Sequence, residues 1–241
     1  MSPARTVMPA AVVFDFDGLI LDTEWCDFTS TAAVFAEHGA TLSLEVWKHY
    51  IGDIDHPYWV DMLEEQLGHP IDRDRWVPER RTANDRCASS MTLMPGVTAL
   101  LDALDRAGIP MAVASSSPSD WVGRHLRERG LSARFATICS GDDVERTKPD
   151  PALYLLACER LGVDPSTAVA VEDSVHGIRS ARAAGMIAVA VPSSMTADMD
   201  FSRADMRVHS CEDLSPAVLV ALMSPVPVTA PPAGLAGECL P

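Results

Sequence analysis

Basic residues are scarce in this chain of 241 residues. Lysine and arginine together number 19, against 34 aspartate and glutamate residues, which gives a formal net charge of −15. An acidic surface repels the phosphate backbone of DNA and RNA. The composition therefore argues against nucleic acid as a partner.

Closely spaced cysteine pairs are also absent. The chain has six cysteines and no C-x-x-C pair, so the sequence indicates no structural zinc site. The cysteines are Cys26, Cys87, Cys139, Cys158, Cys211 and Cys239. Dispersed cysteines are typical of reduced thiols in a cytosolic protein. We therefore expect a cytoplasmic protein with free thiols.

Long uninterrupted apolar segments are missing as well. Residues 1–10 contain no apolar run of the kind found in secretory signals. The stretch 214–237 carries no charge, but five prolines and two glycines interrupt it. Inside a membrane the backbone has no water to bind, so these prolines and glycines would break a membrane-spanning helix. We expect a terminal helix, a disordered Pro-rich tail over residues 224–241, and no membrane as a partner.

The sequence does contain an alternation of short apolar runs with helical patterns. The runs cover residues 11–16, 110–115, 136–139, 168–171 and 187–191. Near-continuous apolar character is typical of strands that are covered on both faces. Apolar residues at helical spacing lie between the runs, as in residues 97–104. This alternation predicts an α/β fold, with a parallel sheet between two layers of helices.

One connection in this pattern is far too long for a turn. Between the first two predicted strands, apolar residues repeat at helical spacing through Trp25, Phe28 and Phe35 and again through residues 59–67. We therefore predict an all-helical domain over residues 23–91, inserted into an α/β core formed by residues 1–22 and 92–223. The aromatic stripes are expected to form the core of the insert.

Polar residues follow the predicted strands. Asp15, Asp17 and Gly18 follow the first strand, Ser115 and Ser116 the second, Lys148 lies beyond the third, and Glu172 and Asp173 follow the fourth. In an open parallel sheet, ligands bind at the carboxyl ends of the strands. Each motif alone has a simpler interpretation, since Asp-Gly marks turns and Ser117-Pro118 is typical of a helix N-terminus. Together they predict one site.

The chemistry of these residues indicates phosphoryl transfer. Asp15 and Asp17 are two residues apart on extended chain, so their carboxylates point the same way. Such a pair requires a cation or a retained proton, and with Asp173 as a further oxygen ligand the site suits Mg²⁺. Asp15 is the candidate nucleophile and Asp17 the candidate general acid and base. Lys148 and the Ser115 hydroxyl would stabilise the phosphoryl group, while Glu172 would hold Lys148 in place.

Four ordered motifs resemble those of the haloacid dehalogenase superfamily. They are Asp15-Phe16-Asp17-Gly18, Ser115-Ser116-Ser117-Pro118, Lys148-Pro149-Asp150-Pro151 and Glu172-Asp173-Ser174. The resemblance spans residues 12–191. Within the superfamily, the chain most resembles the members with a helical cap, which are phosphatases and β-phosphoglucomutase-like enzymes. The resemblance implies a Rossmann-like core and assigns Mg²⁺ to Asp15, Asp173 and the backbone carbonyl of Asp17. We further expect Gly18, Thr23 and Ser116 to bind the substrate.

The resemblance leaves three functions open. Asp17 favours phosphoryl transfer, because the true dehalogenases lack this second aspartate. The mutases carry a cap histidine and a cap-loop arginine, but here these places fall at Asp27 and near Asp55, and Pro118 replaces the mutase lysine. The cap loop Gly52-Asp53-Ile54-Asp55 would also repel a second phosphate.

We therefore expect a Mg²⁺-dependent phosphatase that acts on a small phosphorylated metabolite through an aspartyl-phosphate. A sugar phosphomutase and a catalytically silent binding protein of the same fold are the alternatives. The cap is expected to set specificity. His49, Tyr50, His56 and Trp59 either face the substrate or pack within the cap.

Overall fold

A six-stranded parallel sheet forms the centre of the protein in a computed structural model, which describes residues 7–48, 51 and 58–223. The strands are β1 (Ala11–Phe14), β2 (Met111–Ala114), β3 (Thr137–Cys139), β4 (Ala168–Glu172), β5 (Ile187–Ala190) and β6 (Met206–Arg207). Their order is β3-β2-β1-β4-β5-β6, and neighbouring strands are parallel. The predicted α/β fold is confirmed.

Of the five helices that the described chain has between β1 and β2, the first four fall within residues 23–91. They are α1 (Thr23–Glu37), α2 (Leu44–Lys48), α3 (Trp59–Leu67) and α4 (Arg73–Ser90), which we call the cap helices. Their apolar cluster contains Phe35, Trp59 and Leu63, as the stripes predict, together with Met195 from the segment after β5. Trp25 departs from the prediction, because its side chain is 40% exposed. Residues 49, 50 and 52–57, including His49, Tyr50 and His56, lie outside the described residues.

Five more helices cover the sheet. They are α5 (Val97–Arg106), α6 (Ser119–Glu128), α7 (Ala152–Leu161), α8 (Val175–Ala183) and α9 (Pro216–Met223). No helix in the described part of the chain is both long and apolar enough to cross a membrane. The proposed tail, residues 224–241, lies outside that part.

The two faces of the sheet differ in side-chain size. Val12 and Phe14 of β1 point to the face covered by α5, α6 and α9, where large aliphatic side chains fill the core. Ala11 and Val13 point to the other face, where alanines of β2, β4 and β5 contact α7 and α8. This alternation follows from the two-residue period of a strand. It positions helices on both faces and leaves the carboxyl ends of the strands free to form a site.

Helix α6 begins one residue later than the Ser-Pro pattern predicts, and α7 begins directly after Pro151. Pro118 has extended backbone angles and precedes the first residue of α6. Ser117 makes no capping contact with α6, and its hydroxyl is directed at Asp17 instead. Before α7, the Asp150 carboxylate does accept from the Ala152 N–H, at 3.0 Å. Strand β6, which has only two residues, was not predicted.

The prediction that all cysteines are reduced is wrong for one pair. Cys26 of α1 and Cys87 of α4 form a disulfide across 61 residues of sequence. The two cysteines meet because α1 and α4 pack side by side, which their spacing in the sequence does not reveal. Cys139, Cys158 and Cys211 are free and buried, while Cys239 lies outside the described residues.

Removing this disulfide is expected to destabilise the protein. The bond closes a loop that spans 61 residues, and cross-links of that size typically contribute about 2–4 kcal/mol, mainly by restricting the unfolded chain. The double variant Cys26→Ala, Cys87→Ala should therefore unfold at lower denaturant concentration than the oxidised protein. Reductant should lower the midpoint of the wild type and leave that of the variant unchanged. Equal midpoints for the variant and the oxidised wild type would contradict the expectation.

Candidate active site

The predicted site residues meet at the carboxyl ends of three adjacent central strands. Asp15 follows β1, Ser115 follows β2 and Asp173 follows β4, while Lys148 reaches in from the loop before α7. All four are buried, with exposed fractions between 0 and 7%. Burial of charged groups is tolerated only where they are paired, hydrogen-bonded or bound to a metal. The surroundings of each charge therefore indicate its role.

The Lys148 ammonium joins two carboxylates. Its Nζ donates to Asp15 Oδ1 at 2.5 Å and to Glu172 Oε1 at 2.6 Å. Burial acts to lower the pKa of Lys148, but the charges and hydrogen bonds of Asp15 and Glu172 outweigh it and raise the pKa above its usual value. The lysine therefore stays positively charged beside Asp15.

Glu172 is held by groups on both of its oxygens. Oε1 also accepts from the Tyr154 hydroxyl at 2.8 Å, and Oε2 accepts from the N–H and hydroxyl of Ser174 at 3.1 and 3.0 Å. A Cβ at Gly177 would overlap the Glu172 carboxylate, so only glycine fits there. Sequence reasoning missed Tyr154, which lies on α7 and is brought to the site by helix packing alone.

The Asp17 carboxylate has a separate set of donors. Oδ1 accepts from the Thr23 hydroxyl at 2.6 Å and from the Trp121 indole N–H at 2.9 Å. Oδ2 accepts from the hydroxyls of Ser117 at 2.7 Å and Ser115 at 3.2 Å. Trp121 and Ser117 were not predicted as site residues. These four contacts fix the orientation of the Asp17 carboxylate.

Three carboxylates form a cluster of the kind that holds a metal ion. One oxygen each of Asp15, Glu172 and Asp173 lies within 4.8 Å of the others. Burial raises the pKa of Asp173 well above its usual range, and the charges of Asp15 and Glu172 raise it further. Burial also raises the pKa of Asp15 to about 8, although Lys148 opposes the shift. The single positive charge of Lys148 therefore does not neutralise the three carboxylates of the cluster.

The free oxygen of Asp173 supports a cation at this place. Asp173 Oδ2 is buried and has no hydrogen-bond partner among the described residues. Gly18 lies against it with φ +78°, and a Cβ at Gly18 would overlap that oxygen. Hard carboxylate oxygens beside a potential phosphate position suit Mg²⁺. The side chain of Asp17 lies outside this cluster, and its predicted contribution is through the backbone carbonyl.

The remaining predicted residues have distinct surroundings. Thr23 lines the cleft beside Asp17, but its hydroxyl proton is already donated to that carboxylate. The Ser116 hydroxyl oxygen is buried and has no partner among the described residues. Gly18 approaches Asp173 rather than the cleft. The structure thus brings all of the predicted residues to one region, with Thr23 and Gly18 contacting other site residues.

A cleft of about 930 Å³ opens from Asp17 between the cap helices and α6. Its charged lining residues include Arg80, Arg81, Arg124 and Arg127, which were not predicted. Arg80 and Asn84 both contact the carboxylate of Asp27. This aspartate occupies the place of the mutase histidine, so cap residues of α4 already bind its side chain.

Comparisons with known proteins agree with this geometry. Residues 12–191 match the family model of the haloacid dehalogenase-like hydrolases. The protein YhcW of Bacillus subtilis is 40% identical over 88% of this chain and 97% of its own length. N-acetylmuramic acid 6-phosphate phosphatase of Pseudomonas aeruginosa is 32% identical over 75% of this chain and 80% of its own.

A solved structure shows the same fold. The crystal structure of CbbY from Rhodobacter sphaeroides in complex with phosphate superposes with a TM-score of 0.71 at 28% identity, covering 86% of this chain and 96% of CbbY. The family model covers most of the strands and all four motifs found in the sequence. The chain therefore belongs to the haloacid dehalogenase-like hydrolase family.

Proposed function

We propose that the protein is a Mg²⁺-dependent phosphohydrolase that releases phosphate from a small phosphorylated metabolite through an aspartyl-phosphate on Asp15. Family membership and relatives named as phosphatases make it a phosphoric monoester hydrolase. One observation carries the mechanism. A buried carboxylate, Asp15, lies against the ammonium of Lys148 and clusters with Asp173, which has an unpartnered oxygen, while Asp17, two residues further along, lines the cleft.

The first step of the proposed reaction forms the covalent intermediate. A carboxylate oxygen of Asp15 attacks phosphorus, and the bond from phosphorus to the leaving oxygen breaks. Asp17 lines the cleft in which the leaving group would lie, so it donates a proton to the departing oxygen. The ammonium of Lys148 and the Ser115 hydroxyl stabilise the negative charge on the phosphoryl oxygens.

The second step regenerates the enzyme. Asp17, now ionised, takes a proton from a water molecule that attacks the phosphorus of the aspartyl-phosphate. The bond between phosphorus and Asp15 breaks, inorganic phosphate leaves and Asp15 is again a carboxylate. Glu172 keeps Lys148 in place through both steps, because its other oxygen contacts hold it rigidly.

The residues around Asp173 fit Mg²⁺. Asp15, Asp173 and the backbone carbonyl of Asp17 would hold the ion, which would supply electrostatic stabilisation of the phosphoryl group. A cation there would also compensate the buried carboxylates and give Asp173 Oδ2 a partner.

Hydrolysis is favoured over mutase chemistry by the surroundings of Asp27. Its carboxylate is held by Arg80 and Asn84, and a carboxylate repels a second phosphate. The predicted acidic cap loop lies outside the described residues. A silent binding protein is disfavoured because Asp15, Asp17 and Lys148 are present and assembled.

A phosphate-release screen tests the proposed function. The protein is incubated, with and without Mg²⁺, with sugar phosphates, nucleotides and phosphoglycolate-like acids in turn. We expect release of one phosphate per substrate molecule consumed, dependent on Mg²⁺. Conversion of a sugar phosphate to its isomer without net phosphate release would favour the mutase. Absence of turnover with every substrate class would favour the silent protein.

Mg²⁺ is expected to stabilise the protein through Asp173. The ion would relieve repulsion within the cluster, so millimolar Mg²⁺ should raise the thermal unfolding midpoint of the wild type. Asp173→Ala should abolish most of that Mg²⁺-induced shift. The substitution also removes one of several buried negative charges, which can raise the midpoint of the metal-free protein, so the shift and not the midpoint is compared. Asp198→Ala, which alters an exposed carboxylate, is the matched control and should retain the full shift. An undiminished shift in Asp173→Ala would mean that the metal binds elsewhere.

A further inference from the structure

We propose that Trp121 is a positioning residue for Asp17. The indole N–H of Trp121 determines which carboxylate oxygen of Asp17 carries the proton that is transferred. This inference rests on the proposed function, since it requires Asp17 to act as the general acid. It concerns a side chain on α6 that belongs to none of the four motifs and that lines the cleft beside Asp17.

The donors to Asp17 are chemically unequal. Ser115, Ser117 and Thr23 each contact the carboxylate through a hydroxyl, which can rotate and can accept as well as donate. Trp121 contacts Oδ1 through a ring N–H at 2.9 Å, which can only donate.

This difference assigns the proton of the neutral acid to one oxygen. A proton on Oδ1 would compete with the indole N–H for that oxygen, and only one hydroxyl there, that of Thr23, could turn and accept it. A proton on Oδ2 meets only the hydroxyls of Ser115 and Ser117, either of which can turn and accept. Trp121 therefore keeps Oδ1 as an acceptor and directs the transferable proton to Oδ2.

The indole ring is itself held in place. The buried ring of His125 lies edge-on to it, with 4.4 Å between centroids and 75° between planes. His125 Nδ1 lies 3.1 Å from Arg129 Nη1, and Arg129 Nη2 donates to the carbonyls of Ala88 and Met91 at 2.8 and 2.9 Å. The support of Trp121 therefore extends to the end of α4, where the chain returns from the cap helices to the core.

A fixed proton position matters most when the leaving group is basic. A phenolate leaving from phenyl phosphate needs protonation more than the weakly basic 4-nitrophenolate does, while the two substrates have similar shapes. The value of kcat/KM reports the formation of the phosphoenzyme, in which the leaving oxygen is protonated. Loss of the indole N–H should therefore reduce kcat/KM unequally for the two substrates.

The test compares Trp121→Phe with the wild type on both substrates in the presence of Mg²⁺. We expect kcat/KM to fall about tenfold with phenyl phosphate and less than about threefold with 4-nitrophenyl phosphate. Trp121→Leu, which also lacks the N–H, is measured if the first variant does not fold, as judged by its thermal unfolding. Trp76→Phe, at a half-buried tryptophan of α4, is the matched control and should leave both values unchanged.

Equal losses with the two substrates, or no loss with either, would overturn the role of Trp121, because a merely structural role does not depend on the leaving group. Asp17→Asn separates this failure from that of the proposed function. If Asp17→Asn discriminates between the substrates and Trp121→Phe does not, only the positioning role is wrong. If Asp17→Asn does not discriminate, Asp17 is not the general acid, and the positioning role falls together with the acid step of the proposed mechanism.

Discussion

Replacing Asp15 with asparagine is expected to lower kcat by about 10⁴-fold or more while leaving the fold intact. An amide of nearly the same shape cannot attack phosphorus as a carboxylate does. Its carbonyl oxygen can still accept from Lys148, which contacts Asp15 Oδ1 in the wild type. The variant also loses one charge from a crowded carboxylate cluster. Turnover of 4-nitrophenyl phosphate with Mg²⁺ measures the loss, and circular dichroism with a thermal scan checks the fold.

The matched control for this substitution is Asp198→Asn. Asp198 is an exposed carboxylate that contacts Lys48 at 2.8 Å, away from the cleft, so its replacement should leave kcat within about twofold. Residual activity of a few per cent in a folded Asp15→Asn protein would remove Asp15 as the nucleophile.

Replacing Lys148 with methionine is expected to lower both activity and stability. The change keeps an unbranched side chain but leaves Asp15 and Glu172 buried without their cation. Breaking a buried ion pair in this way typically costs about 3–5 kcal/mol of unfolding free energy. Activity should fall with it, because the phosphoryl group would lose the ammonium that faces it. Denaturant unfolding at pH 8 measures the first effect and phosphate release the second.

The stability deficit of Lys148→Met should depend on pH. Burial already raises the pKa of Asp15 to about 8 in the wild type against the opposing charge of Lys148, and removal of the ammonium raises it further. A carboxyl whose folded-state pKa is raised destabilises the folded state as pH rises above its unfolded value near 4. Because Asp15 ionises near pH 8 in the wild type and only at higher pH in the variant, the deficit should be smaller at pH 7 than at pH 9.

The chain's other lysine provides the control. Lys48 pairs with Glu45 and Asp198, whose side chains are exposed, and such pairs are screened by solvent. Lys48→Met should change stability much less than Lys148→Met at either pH. A folded Lys148→Met protein with wild-type stability at pH 8 would contradict the buried role assigned to this lysine.

Local patterns in the sequence were enough to predict the framework of the fold. Each of β1 to β5 is a short apolar run, and burial on both faces is what makes such runs continuous. The motif residues follow these strands closely, so the topology of a parallel sheet alone brings Asp15, Ser115 and Asp173 together. Strand β6 was missed because two residues at an edge carry no such pattern.

Contacts that depend on helix packing could not be predicted in the same way. Trp121 reaches Asp17 across 104 residues, and its own neighbours in the sequence suggest only one face of a helix. Cys26 and Cys87 meet because α1 and α4 are adjacent. Ser117 was interpreted as a helix cap, yet its hydroxyl is used by the site. In each case the partner is selected by tertiary structure rather than by spacing.

A crystal structure grown with Mg²⁺ and beryllium trifluoride tests the central claim most directly, because this anion bonds to a carboxylate as a phosphoryl group would. We expect beryllium on an oxygen of Asp15, fluorines in contact with Lys148 and Ser115, and the metal on Asp15 and Asp173. Beryllium on another residue, or a metal bound away from Asp173, would contradict the account.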